Sequence, residues 1–263
     1  MVLTENKINN VCFMTSSNIA ATHAFTTRLG GVSNGIYESL NLAQRAGDDI
    51  ENVKENYSLL CNTIGINTDD IVCSNQVHGT HIRVVTRDDC GNLFKPNTHQ
   101  ADGLITQTPG VALMVFVADC VPILLYDPKK RVAGAVHAGW RSTAANIPGI
   151  AVDKMTSEFG SSPADIKAAI GPCISKCCYE TDSDVADALS EALNDNVHRC
   201  YIKHNSKYFI DLKEANNLLL KKAGLIDITI SDECTSCLSD KYWSHRKTKG
   251  QRGSQAAVIV IRG

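Results

Sequence analysis

The sequence has almost no charge imbalance. Its 26 basic and 28 acidic side chains leave a formal net charge of -2, and no run of like charges marks an acidic or basic tail. There is therefore no electrostatic footprint for nucleic acid. No apolar stretch is long enough to span a bilayer. The most apolar one, Val111 to Tyr126, is interrupted by Asp119, Cys120 and Pro122 and reads as buried strand. The start, Met1 to Lys7, has no basic segment leading into an apolar one, so no signal peptide is expected. These absences set the expectation of a soluble, cytoplasmic protein with neither a membrane nor a nucleic-acid partner. Internal repeats, low-complexity tracts and Pro/Ser-rich linkers are also missing, which points to one domain spanning 1–263. No GxGxxG or Walker pattern stands in a phosphate-binding context. With eight histidines and no HxH pair, the chain is poorly equipped for a multicopper oxidase, which needs several coppers.

Cysteine, by contrast, is abundant, at eleven residues. In a chain of this length without a signal peptide they are read as reduced thiols, most of them packed in the core.

Hydrophobic spacing outlines a mixture of strands and helices. Ala24 to Asp49, rich in Gly, Ser and Asn, reads as a long irregular loop. Asp49 to Ile64 has helical spacing, with Ile50, Val53, Tyr57 and Leu60 on one face. Strands are expected at Ile71–Cys73, Ile82–Thr86, in two pieces within Val111–Tyr126, and at Arg131–Val136, Ile166–Ile170, Ile226–Ile230 and Ala256–Ile261. Helices are expected at Asn146–Phe159, starting late because of Pro148 and Gly149, and at Ser183–Leu193 and Asp211–Ala223. Without a clean βαβ repeat, the fold class is α/β with a mixed sheet, in a single-domain sandwich.

Asp127-Pro128-Lys129-Lys130 is a strong turn signal. With Asp127 and Lys130 as its corners, the hairpin would set Cys120 directly opposite His137, with Cβ atoms about 5 Å apart. That arrangement suits a shared metal ion or a Cys–His catalytic pair. It equally suits a buried cysteine beside a core histidine. A catalytic zinc site takes three protein ligands and keeps one position open. His78, in Asn75-Gln76-Val77-His78-Gly79, is the strongest third candidate, with His81 as its rival.

Several of these segments carry a family resemblance. Arg28-Leu29-Gly30-Gly31-Val32-Ser33, Ser39-Leu40-Asn41-Leu42, Gln76-Val77-His78-Gly79, Ala101-Asp102-Gly103, Ala118-Asp119-Cys120-Val121-Pro122, His137-Ala138-Gly139-Trp140-Arg141, Ala169-Ile170-Gly171-Pro172-Cys173-Ile174 and Cys177-Cys178-Tyr179-Glu180 resemble the YfiH-like, or laccase-domain, family. The family is also called polyphenol-oxidase-like and peptidoglycan editing factor. The likeness runs from about Ala24 to the C-terminus. It implies a fold related to cytotoxic necrotizing factor catalytic domains and a metal on His78, Cys120 and His137. Zinc is the ion expected, with copper the alternative. It further implies phosphorolysis of adenosine, inosine and 5'-methylthioadenosine, and deamination of adenosine. Purine nucleosides and phosphate are then the partners. Arg28 and Asn41 match polar loop positions near the family's site. Arg45-Ala46-Gly47-Asp48, Ser142 and Gln251-Arg252-Gly253-Ser254 depart from the family pattern, which bears on substrate preference and on any anion contact near Arg252.

Arg28, Arg141 and Arg246 are candidate anion contacts, since guanidinium binds phosphate bidentately. Trp140 and Trp243 read as packing residues. Cys234-x-x-Cys237, with Cys173 and Cys177-Cys178, has the makings of a four-cysteine zinc site. CxxC alone is a weak signal, and the family resemblance implies no such site. A metal-free Cys120–His137 hydrolase acting on cell-wall precursors is the other enzymatic reading.

Overall fold

Alternation of side chains across successive strands decides the architecture. A computed structural model describes residues 3–44, 46–95 and 98–263; Arg45, Met1 and Val2 lie outside the described residues. The N-terminal part contains β1 (Thr4–Ile8), β2 (Val11–Thr15), β3 (Thr22–Thr26), α1 (Ile50–Ile64), β4 (Ile71–Val72) and β5 (Ile82–Val84). The middle contains β6 (Gly103–Thr106), β7 (Ala112–Val117), β8 (Val121–Asp127), β9 (Val132–Ala138), α2 (Trp140–Ala144), α3 (Ile147–Phe159) and β10 (Lys167–Ile170). The C-terminal part contains β11 (Glu180–Thr181), α4 (Ser183–Leu193), β12 (Tyr201–His204), β13 (Lys207–Ile210), α5 (Leu212–Lys222), β14 (Asp227–Ile230), α6 (His245–Thr248) and β15 (Gln255–Val260).

Two six-stranded sheets form, in the orders β1-β2-β3-β15-β7-β4 and β14-β10-β8-β9-β6-β5, beside a small sheet β11-β13-β12. Most pairings are antiparallel, but β4·β7, β5·β6 and β10·β14 are parallel. The sheets are therefore mixed, as expected for the α/β class. Odd-numbered Leu113, Val115, Ala257 and Ile259 of the first sheet share a buried cluster with Leu124, Tyr126, Ala133 and Ala135 of the second. The sheets thus meet face to face. The opposite face of the first sheet, with Ala112, Met114, Ala256 and Val258, is covered by Val53, Tyr57 and Leu60 of α1. The outer face of the second, with Ile123, Leu125 and Val136, lies under Val152, Met155, Leu189 and Leu219 from α3, α4 and α5. Both faces of the β8–β9 hairpin are covered, which is why its strands read as continuous apolar runs rather than alternating ones.

α1 is bounded as its sequence predicts. Asp49 caps the Glu51 amide, and Gly65 closes the C-terminus at a left-handed φ of 67°. α3 differs from expectation. It begins at Ile147 without delay, because Pro148 sits in the first turn, where no helical N–H is needed. The irregular stretch after β3 holds one short turn of 3-10 helix at Gly35–Tyr37.

The hairpin register also differs. Asp127 pairs with Val132 and His137 with Pro122, so Cys120 is not directly opposite His137. The Asp127 carboxylate accepts the Lys129 and Lys130 amides at 2.8 and 3.1 Å, and Arg131 adopts a φ of 54°. The loop consequently takes in Pro128 to Arg131, longer than the turn expected. The resulting shift is even, so the period of two still leaves Cys120 and His137 on a common side.

Candidate metal centre

The expected ligands come together at one end of the sandwich. His137 lies near the end of β9, on the inter-sheet side with Ala133 and Ala135. Cys120 sits in the bend between β7 and β8, where Asp119 takes a φ of 83°. His78 lies on the loop between β4 and β5, with a φ of 59°. The ligand atoms of His78, Cys120 and His137 all fall within 4.8 Å of one another. His81 is not in this group.

Three devices hold the group in place. The first is the Asp102 carboxylate, which is fully buried. One oxygen accepts the His78 amide at 2.9 Å and the His137 Nδ1 at 2.8 Å. The other accepts the Val77 and Gly79 amides at 3.2 and 2.7 Å. Burial pushes this carboxyl up, but the bonds from His137, Gly79 and Val77 outweigh it and hold Asp102 below the usual range. With Nδ1 given to Asp102, the other imidazole nitrogen of His137 is the one left to bind. The second device is the Gln76 side chain. It accepts the Phe116 amide and donates to the Phe116 carbonyl, both at 2.7 Å. In this way it continues the β7 ladder past β4 and pins the His78 loop to the sheet. The third is the missing side chain at Gly139. A Cβ there would stand 2.7 Å from the His78 ring and 3.4 Å from the Cys120 sulphur.

The donor set fits a tetrahedral ion. His78 Nε2 lies 3.8 Å from Cys120 Sγ, and zinc bonds of about 2.0 and 2.3 Å would place such a pair about 3.6 Å apart. The electrostatics favour a thiolate at Cys120, while His137 must shed its proton to bind an ion. Burial alone would raise the Cys120 thiol, but His137 outweighs it and, with His78, brings it down to about 6. Burial lowers His137, yet the Cys120 thiolate and Asp102 lift it to about 9. A thiolate is the form that binds metal.

The group opens into a cavity of about 650 Å³ whose lining includes His78, Cys120, His137, Asn75, Gln76 and Arg252. That size suits a small organic ligand. Arg252 donates to the Gly253 carbonyl at 2.9 Å and to Ser254 Oγ at 2.8 Å, while its buried Nε has no partner. Arg28 and Asn41 are not among the lining residues. Arg28 donates to the Ser239 and Glu38 carbonyls and stacks 4.0 Å above Trp243. Asn41, fully buried, accepts the Ser254 and Ala43 amides and donates to Asp48. Both therefore brace the loops around the cavity. Arg141 stacks on Trp140, and Arg246 donates to the Cys178 and Glu180 carbonyls. Sequence reasoning assigned no role to Asp102 and raised Arg252 only as a departure. Asp102 stands in the Ala101-Asp102-Gly103 motif, which marks the family but not the residue's role, and Arg252 lies in an irregular approach to β15 with no signal of its own.

Residues 22–262 match the family described as multi-copper polyphenol oxidoreductase laccase. The chain belongs to this family. Among laccase-family relatives, it is 38% identical to the purine nucleoside phosphorylase YlmD of Geobacillus stearothermophilus, over 91% of this chain and 89% of that one. It is 39% identical to a purine nucleoside phosphorylase of Deinococcus radiodurans, over 93% and 90% of the two chains. The crystal structure of Geobacillus stearothermophilus YlmD superposes with a TM-score of 0.94 at 35% identity, covering 100% of this chain and 99% of that one. A Bacillus licheniformis protein, YfiH, gives 0.92 at 32% identity, covering 97% of each. The α/β sandwich is thus the family fold, and purine nucleoside phosphorylase relatives mark the chain as an enzyme. Among the described residues, no helix is long and apolar enough to cross a membrane.

Proposed function

We propose that the chain, as one catalytic domain over residues 1–263, is a zinc-dependent purine nucleoside phosphorylase. Its substrates are adenosine, inosine and 5'-methylthioadenosine with phosphate, and adenosine deamination is a second activity. The observation that carries this reading is the convergence of His78, Cys120 and His137 on a cavity that also contains Arg252. The relatives named purine nucleoside phosphorylase support it.

His78, Cys120 and His137 would hold the ion, whose chemistry is Lewis-acid polarisation at an open coordination position. In phosphorolysis a phosphate oxygen bonds to the ribose anomeric carbon as the bond to the purine nitrogen breaks. The purine leaves with that electron pair and takes up a proton. Arg252 places a fixed cation in the cavity, partly removed from water, to orient phosphate beside the sugar. The Asn75 and Gln44 amides, also in the lining, offer donors and acceptors to the purine edge. Asp102 fixes the ring orientation of His137.

The test is metal content by mass spectrometry, with inosine and adenosine turnover measured with and without phosphate. About one ion per chain at this centre, lost in Cys120→Ala with phosphate-dependent base release, is expected. Arg252→Gln should keep the ion while raising the KM for phosphate about tenfold or more, the loss of one charge-assisted contact. A wild-type protein with no metal at these residues and no nucleoside turnover refutes the proposal. One observation favours a second reading: the Cys120 thiolate beside a protonated His137 is also the pair of a cysteine hydrolase acting on peptidoglycan precursors. Covalent labelling of Cys120 by an amide substrate would favour that reading. A copper polyphenol oxidase is disfavoured, because only His78 and His137 supply imidazole to a metal-capable group among the described residues.

A further inference from the structure

A second cluster of metal-binding side chains lies outside the cavity. The sulphurs of Cys177, Cys178, Cys234 and Cys237 all lie within 4.8 Å of one another. We propose that these four cysteines form a structural tetrathiolate site for a single zinc ion, which clamps two chain segments behind the Cys120 bend.

Chain geometry delivers the ligands in two pairs. Cys173 and Cys234 form a parallel bridge. Past it, the first segment turns so that the Cys178 and Tyr179 amides both bond to the Ser175 carbonyl. The second turns so that the Leu238 amide bonds to the Cys234 carbonyl. Each turn presents two thiols to the other. Cys173 itself is excluded from the group: it is buried, and its thiol donates to the Ile174 carbonyl at 3.2 Å.

Spacing and chemistry favour one ion. Four sulphurs tetrahedrally placed about 2.3 Å from zinc stand about 3.8 Å apart. The Cys177–Cys237 and Cys178–Cys237 sulphurs are 3.5 and 3.3 Å apart. A multi-iron cluster carries its own sulphides and spreads its ligands wider than this. A disulfide would take Cys237 with one rival and leave the other thiols unused, and it would need an oxidant. One dication uses all four, each thiol losing its proton on binding. The backbone already directs a donor at one of the four sulphurs. The Ser175 amide donates to Cys234 Sγ at 3.3 Å. No open position remains for substrate, so the site is structural.

The clamp reaches the cavity through Asp119. Thr235, between the CxxC cysteines, donates to the Asp119 carboxylate at 2.6 Å, and Asp119 immediately precedes Cys120. The Arg246 and Ile174 amides bond to Asp119 as well, at 2.6 and 3.0 Å.

The deciding experiment counts ions per chain in tag-free wild type, Cys237→Ser, Cys177→Ser and Cys120→Ala, all prepared without chelator and with thiols kept reduced. Cys177 and Cys237 are exposed, so serine there spares the core. Two zinc ions in wild type and one in each variant are expected. Cobalt-loaded Cys120→Ala should show the near-ultraviolet charge-transfer band of a tetrathiolate, and adding Cys237→Ser should diminish it. A single wild-type ion lost in Cys120→Ala and kept in Cys237→Ser overturns the proposal, as does an intact mass that reveals a disulfide among these residues. A single ion lost in Cys237→Ser and kept in Cys120→Ala upholds it, and fails the cavity metal instead.

Discussion

Asp102→Asn is the sharpest test of how the cavity is held. The native carboxylate accepts four donors, two on each oxygen. An amide has one oxygen and one NH2 group. If the oxygen stays with Val77 and Gly79, the NH2 confronts the His78 amide and His137. If it flips, it confronts the Val77 and Gly79 amides. Either way two buried donors lose an acceptor, at about 1–3 kcal/mol each, or roughly 2–6 kcal/mol together. For a domain of this size, each kcal/mol moves Tm by about 2–4 °C, so metal-stripped Asp102→Asn should melt roughly 4–24 °C below metal-stripped wild type. His137 can also escape the clash by moving its proton to the nitrogen that would otherwise bind the ion. Chelator competition should therefore show zinc held about 10- to 100-fold more weakly at this centre. Measuring both quantities separates the two effects. An Asp102→Asn protein with wild-type Tm and wild-type zinc affinity would refute the acceptor count and the role given to Asp102.

Two further outcomes follow from the same geometry. Gly139→Ala requires the His78 ring, 2.7 Å from the new methyl, to move by several tenths of an ångström. It should weaken zinc binding about tenfold or more, with far-ultraviolet circular dichroism unchanged; unaltered affinity by chelator competition would contradict the close approach. In metal-stripped protein, iodoacetamide labelling of Cys120, followed by peptide mass spectrometry, should rise with pH through a midpoint near 6. The thiolate dominates above that value and the unreactive thiol below it. Bound zinc should suppress the labelling. A midpoint in the ordinary thiol range of about 8.5 would show that His137 does not stabilise the thiolate.

Much of the sandwich was legible in the sequence because its strands are either long apolar runs or bounded by strong turns. The β8–β9 hairpin and α1 are both announced by their residues. The register of the hairpin was not, because the Asp127 side chain can gather amides from either of two turn lengths, and the chain records only that a turn is favoured. β1 escaped notice since Thr4–Ile8 is polar and mostly exposed; its pairing with β2, not its composition, makes it a strand. The same division holds at the site. His78, Cys120 and His137 carry chemistry in their side chains and could be nominated from motif and resemblance. Asp102 acts by accepting backbone amides from a loop 23 to 25 residues away, a relation fixed only once β6 lies against β9. For the four cysteines, the CxxC and the Cys177-Cys178 pair were both visible in the sequence, named together with Cys173; what the sequence could not decide is that Cys173 sits in the bridge between the segments while the other four group together.

The place of β15 has a consequence for how the chain is made. It lies between β3 and β7, so the three N-terminal strands cannot join the rest of their sheet until residues 255–260 have been synthesised. Until then Phe25, Leu113 and Val115 have no β15 to complete their side of the core. The nascent chain must carry an open sheet edge through most of its elongation, a state prone to wrong pairing. Arg252 and Ser254 stand just before that strand, so the cavity wall is finished in the same late event that closes the sheet.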